Sequence, residues 1–215
     1  MRQHPRTSLP MALHRVIAFV LALAAAACTT SGTTRPSQTE VRDESGFVIT
    51  EKVRVGTDVR ADFESALLLL EQEQYASGIA LLVKVTEAAP DLTAAHIDLA
   101  IAYGQVDDLE RAEASIKRAL ELNPRHPVAY NELGILQRKK GRFEDARKSY
   151  ERALELHPDF HFARRNLAIL CDVYLADVSC ALKHYELYAA AVPDDGAAAI
   201  WIADLHNRVG KQEKP

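Results

Sequence analysis

The chain has 215 residues, of which 48% are hydrophobic and 26% charged, with a formal net charge of −4 and three cysteines. That length holds one domain with accessories. A mildly acidic chain without a basic stripe lacks the electrostatic footprint of a nucleic-acid binder, so no nucleic-acid partner is expected.

At the N-terminus, Arg2, Arg6 and Arg15 precede an apolar run, Val16–Ala27, that ends in small residues, and no acid occurs before Cys28. A basic start, a short apolar stretch and small residues have the form of a secretory signal, too short to span a bilayer as a stable helix. With Cys28 next, the segment resembles a bacterial lipoprotein signal, although Ala25 stands where that motif carries Leu. The resemblance implies a signal at 1–27 and lipidation, palmitate included, at Cys28. Thr29, in place of Asp, implies the outer membrane, facing the periplasm. Ordinary cleavage after a small residue, with Cys28 incidental, is the other reading. Loss of 1–27 removes three arginines and no acid, so the charge of −4 becomes −7.

Residues 28–57 read as a tether rich in Ser, Thr and charge, and 29–45 are expected to be flexible. Within it, 46–55 (Gly46 to Val55) alternates imperfectly through Phe47, Ile49, Val53 and Val55. That spacing predicts an extended piece. A lone strand is not stable, so the piece docks on the following domain, pairs with another chain or stays mobile. Thr57 or Asp58 is placed to cap the first helix.

From there the chain repeats. Pro90, Pro124 and Pro158 are 34 residues apart, and Gly78, Ala112 and Ala146 fall in the same register. So do Leu82, Ile116 and Tyr150; Val85, Ala119 and Ala153; Leu99, Leu133 and Leu167; and Ala66, Ala100, Gly134 and Ala168. Each unit carries two stretches of helical periodicity, as in Tyr130, Leu133, Gly134, Gln137 and then Phe143, Ala146, Tyr150, Ala153, Leu154. Gly141 supplies the left-handed stop between them and Pro158 ends the second.

The pattern of Tyr130, Leu133, Gly134, Ala146, Tyr150, Ala153 and Pro158 resembles the tetratricopeptide repeat. The resemblance implies an all-α, right-handed superhelical solenoid of about four helix-turn-helix units, at 59–92, 93–126, 127–160 and 161–193. Asp107 stands in for the turn glycine of the second unit. Pro193 lies 35 residues after Pro158, so the fourth unit has one residue inserted, placed near Val173–Ser179 in the inter-helix turn.

Cys171 and Cys180 flank that turn. In an exported chain they form either a disulfide joining two antiparallel helices or two separate buried thiols. There is no C-x-x-C, which argues against a redox role. Residues 194–215 read as a capping helix from about Gly196 to Arg208 and a frayed tail, with Ile200, Trp201, Ile202 and Leu205 set to cover the last open core.

The family's first helices line a concave groove. By register the resemblance places Phe63, Ile97, Asn131 and Arg165 in one groove column and Leu67, Ile101, Ile135 and Ile169 in another, with Arg138 and Lys139 beside them. An extended peptide or an amphipathic helix of an envelope protein is the expected occupant. Self-filling by 46–55 and plain packing are the alternatives. No phosphate loop, His-Glu-x-x-His or nucleophile elbow occurs, and His126 and His157 sit at turns. No catalytic residue, metal or cofactor is expected. The reading is a lipid-anchored, non-catalytic scaffold serving pilus, outer-membrane or TonB-type assembly; a promiscuous periplasmic chaperone is the alternative.

Overall fold

The computed structural model describes residues 55–212 and Val53, preceded by three strands: β1 (Ala18–Val20), β2 (Thr39–Arg42) and β3 (Val48–Glu51). Cys28 and most of the expected signal lie outside the described residues. The strands form an antiparallel sheet in the order β1-β2-β3, with Val41 opposite Ile49 and Phe19 opposite Val41. The expected extended piece is thus β3, and its partner is the neighbouring β2. The sequence reading treats 29–45 as flexible, yet Thr39–Arg42 is paired backbone. After β3, Val53 and Val55 pack on the first part of the helical core.

All-α architecture follows: α1 (Thr57–Glu71), α2 (Tyr75–Ala88), α3 (Thr93–Gln105), α4 (Leu109–Leu122), α5 (Pro127–Lys139), α6 (Phe143–Leu156), α7 (His161–Ile169), α8 (Val178–Ala191) and α9 (Gly196–Gln212). Pairs α1/α2, α3/α4, α5/α6 and α7/α8 stack in sequence, and α3, α5 and α7 also touch directly. The result is a right-handed superhelical solenoid whose odd-numbered helices form the inner wall. Gly56, not Thr57 or Asp58, is the cap residue of α1, and it makes no side-chain bond. No helix among the described residues is long and apolar enough to cross a membrane.

The repeat register explains the packing. The small column of Ala112, Ala146 and Ala181 is fully buried, and the column of Leu82, Ile116, Tyr150 and Tyr185 is at most 2% exposed. Small residues let backbones approach while the large column fills the wider gap. Gly134 shows how tight the approach is: a Cβ there would stand 2.5 Å from the Tyr150 ring.

Each intra-repeat turn holds one left-handed residue: Glu73 (φ 58°), Asp107 (60°), Gly141 (73°) and Ala176 (52°). After each inter-repeat proline, a side chain six residues on reaches back to that proline's carbonyl. His96 Nε2 meets Pro90 O at 3.0 Å, Tyr130 Oη donates to Pro124 O at 3.3 Å, and Arg164 Nη2 donates to Pro158 O. Between repeats, Glu113 of α4 accepts from Lys140 Nζ at 2.8 Å and Arg142 Nη2 at 2.9 Å and also pairs with Lys117. Lys140, foremost among these partners, holds the carboxyl at about 2.

The inserted residue of the fourth unit sits earlier than its sequence suggests. Helix α7 runs on as a π-turn, Leu170–Tyr174, before the chain turns. A π-turn takes up one extra residue without breaking the helix, so the downstream register is kept. Cys171 lies in this turn and is bonded to Cys180 of α8, with a Cα–Cα distance of 5.8 Å. Beyond it, α9 covers the last repeat with Ala198 and Leu205 fully buried and Trp201 5.2 Å from the Tyr185 ring. Ile200, assigned to that core from the sequence, is instead 69% exposed.

Candidate functional site

The inner wall opens into a cleft of about 440 Å³ across α3, α5 and α7. Its floor is a row of one isoleucine per repeat, Ile101, Ile135 and Ile169, each partly buried. The row exists because the three positions are 34 residues apart on inner helices that stack in sequence.

Cations flank the row. Arg138, Lys139 and Arg165 line the cleft. None of the three has a carboxylate ion pair among the described residues, and the same holds outside the cleft for Arg125, Lys148, Arg164 and Lys183, while Arg111, Lys140, Arg142, Arg147 and Arg152 are paired. Arg138 lies against Tyr174, with its Nη1 3.4 Å from the phenol oxygen and its guanidinium 5.6 Å from the ring centroid. The neighbouring Tyr150 phenol is pushed up to about 12 by burial, so it is a neutral hydroxyl and not a counter-ion. Arg165 lies 5.8 Å from the rings of both Phe162 and Tyr188. Lys139 Nζ donates to Gly104 O at 2.6 Å, closing the end of α3. With Glu132 the one carboxylate in the lining, three cations against one acid leave the concavity net positive in a chain whose net charge is −4.

Of the residues assigned to the groove, Ile101, Asn131, Ile135, Arg138, Lys139, Arg165 and Ile169 meet in this cleft. Phe63, Leu67 and Ile97 do not: they are 4%, 7% and 1% exposed and belong to the core. Phe63 and Leu67 of α1 and Ile97 of α3 pack in the main hydrophobic core, whereas Ile101, one turn on from Ile97, lines the cleft. Asn131 lines the cleft but is only 3% exposed. Its Oδ1 accepts from Asn166 Nδ2 at 2.9 Å and its Nδ2 donates to Glu132 at 3.0 Å, so it braces α5 against α7. Phe162 and Asn166 were not anticipated. Register places Phe162 with Ala94 and Val128 and Asn166 with Asp98 and Glu132, but these residue types vary from repeat to repeat and give no column.

The described lining of the cleft holds no cysteine, serine, threonine or histidine. Among the described residues, the one trio close enough to share a metal ion is Cys171, Asp177 and Cys180, whose sulfurs are bonded to each other.

The sequence profile described as tetratricopeptide repeat matches residues 63–127, 97–159 and 131–171, together just over half of the chain. The chain belongs to the tetratricopeptide repeat family. Solved structures agree on the fold. PilF of Pseudomonas aeruginosa is 20% identical with a TM-score of 0.65, over 71% of this chain and 69% of that one. MamA is 19% identical with a TM-score of 0.62, over 73% and 85%. The first tetratricopeptide repeat domain of Spaghetti (RPAP3), solved bound to the HSP90 peptide SRMEEVD, is 27% identical with a TM-score of 0.53, over 57% and 97%. No curated protein matches the sequence significantly. A tetratricopeptide repeat fold is that of a protein–protein interaction scaffold.

Proposed function

We propose that the protein is a non-catalytic docking scaffold whose cleft holds an extended segment or an amphipathic helix of a partner protein. The observation that carries this reading is the isoleucine row flanked by three cations, Arg138, Lys139 and Arg165, against a single lining carboxylate, Glu132. Aliphatic side chains of a ligand would seat on Ile101, Ile135 and Ile169. Acidic or carbonyl groups beside them would meet Arg138 and Arg165, whose planar, multidonor heads suit such acceptors. The acidic peptide held by the Spaghetti domain supports ligand chemistry of this kind.

The scaffold works by shape: stacked pairs fix the wall before a ligand arrives, so little ordering cost falls on this side of the interface. Its setting is the bacterial envelope, with the chain anchored through lipid on Cys28 in the outer membrane and facing the periplasm. Cleavage there removes β1 and leaves β2 and β3 as a hairpin. The anchor confines the cleft to a surface and raises the effective concentration of membrane-associated partners. Assembly of an envelope complex is the role this supports.

Site-specific photo-crosslinking from positions 101 and 135 in native envelopes tests the reading. One dominant protein adduct is the expected result. A smear of adducts would mark a chaperone, and an intramolecular crosslink to 46–55 would mark a self-filled cleft. Ile135→Arg should abolish the adduct from position 101 with an unchanged melting temperature. Loss of fold in that variant would instead identify Ile135 as packing.

A further inference from the structure

The Cys171–Cys180 pair lacks the spacing of a redox motif, but the fold gives its two sulfurs different surroundings. Cys171 is fully buried, while Cys180 is partly exposed in the first turn of α8. Arg147 of α6 places Nη2 3.6 Å from Cys171 Sγ and pairs with Asp177 at 2.5 Å. Asp177 caps α8, accepting from Cys180 N at 3.0 Å and Ser179 Oγ at 2.9 Å, and its own N–H donates to Cys171 O at 2.9 Å. One sulfur is therefore open to attack, and the other is buried beside the Arg147–Asp177 ion pair, with the Asp177 carboxylate within 4.8 Å of both sulfurs and Arg147 the group that offsets it.

We propose that this disulfide is a thiol-exchange site, with Cys180 the attacked sulfur and Cys171 the leaving sulfur, and that its state controls the π-turn behind the cleft. The thiolate of a small-molecule thiol attacks Cys180 Sγ. A sulfur–sulfur bond to Cys180 forms, the Cys171–Cys180 bond breaks, and its electron pair departs on Cys171 Sγ. Arg147 stabilises that thiolate, and a better-stabilised leaving thiolate departs faster. A second thiol then displaces Cys180, so two thiols are oxidised to their disulfide and the protein pair is reduced. Attack from the Cys171 side is blocked by burial.

The mechanical consequence follows from what else the π-turn carries. Asp172 pairs with Arg208 of α9, and Tyr174 stacks on Phe143 at 4.8 Å and contacts Arg138 in the cleft. The closed disulfide ties this turn to the start of α8 across the left-handed Ala176. Opening it removes that tie and releases both the α9 contact and the Tyr174 cover on Arg138. Neither the exchange nor the release needs a ligand in the cleft, so the inference stands or falls apart from the docking role.

The test uses the full chain with limiting glutathione, acid quenching, alkylation and peptide mass spectrometry. Glutathione on Cys180 with alkylated Cys171 is expected; glutathione on Cys171, or equally on both, overturns the assignment. Arg147→Gln should slow opening about three- to tenfold, and Arg147→Lys should restore most of the rate. An unchanged rate in Arg147→Gln removes Arg147 from the step. Trp201, the single tryptophan, reports on α9 through its contact with Tyr185. Full reduction should shift its emission to longer wavelength and speed hydrogen exchange in Leu170–Tyr174 while helical circular dichroism persists. If emission and exchange both stay the same, the coupling to the π-turn is wrong.

Discussion

At the scale of single residues, two glycines of the inner helices make opposite demands. A Cβ on Gly134 would come within 2.5 Å of the fully buried Tyr150 ring, which has no room to withdraw. Gly134→Ala should therefore destabilise the protein by about 1–3 kcal/mol in urea titration. A Cβ on Gly104 meets nothing nearer than Leu136 Cδ2 at 3.5 Å. Gly104→Ala should gain about 0.5–1 kcal/mol of helix preference by the same measurement. Equal effects in the two variants would contradict the packing described. The close approach at Gly134 is legible in the sequence, because Gly134 and Tyr150 stand in small and large columns. The harmlessness of Gly104 is not, since it depends on a distance that spacing alone does not convey.

Among elements, the start of α5 shows what column reading reveals when burial is followed instead of residue type. The residues before α3, α5 and α7 are Leu92, His126 and Phe160, respectively 3%, 2% and 1% exposed. His126, read from the sequence as an ordinary turn residue, occupies this core position. Its Nδ1 also accepts from Ala129 N at 3.3 Å, capping α5. Burial pushes the imidazole down to about 4, from an ordinary 6.5. The native state thus resists a proton that the unfolded chain accepts. Stability is complete above pH 6.5 and falls as pH drops from 6.5 towards 4, by on the order of 3 kcal/mol. His184, also held at about 4, first by burial and then by Arg164, Lys183 and Arg147, adds a smaller loss of the same sign. His126→Leu should cost about 1 kcal/mol at neutral pH through the lost cap and should flatten most of the acid decline in urea midpoints. A decline as steep as in the native chain would assign it to other groups. The proline-carbonyl contacts made by His96, Tyr130 and Arg164 escaped sequence reading for a related reason: three unlike side chains perform one task.

For the whole molecule, the stack is legible because its period is nearly constant, and the cleft is legible only where that period leaves space. Seven assigned groove positions meet in the cleft, while Phe63, Leu67 and Ile97 disappear into the core. Register says which side a residue faces; how closely neighbouring helices approach decides whether that side is open. The same quasi-one-dimensional construction makes the ends matter. Removing α9 by stopping the chain after Asp195 should uncover Tyr185 and lose the burial of Leu205 and part of Trp201. The expected cost is about 3–5 kcal/mol, read as a lower thermal midpoint. An unchanged midpoint would make α9 an appendage instead of a lid.

The four left-handed turns are unequal in chemistry. Gly141 adopts its geometry freely and Asp107 tolerates it, but Glu73 and Ala176 resist it by roughly 1–2 kcal/mol each. Those two sit in the outermost coils. Handled as a spring under tension, the array should yield at its tips while the middle coils hold, and the crosslinked tip should yield second for as long as Cys171 and Cys180 stay joined.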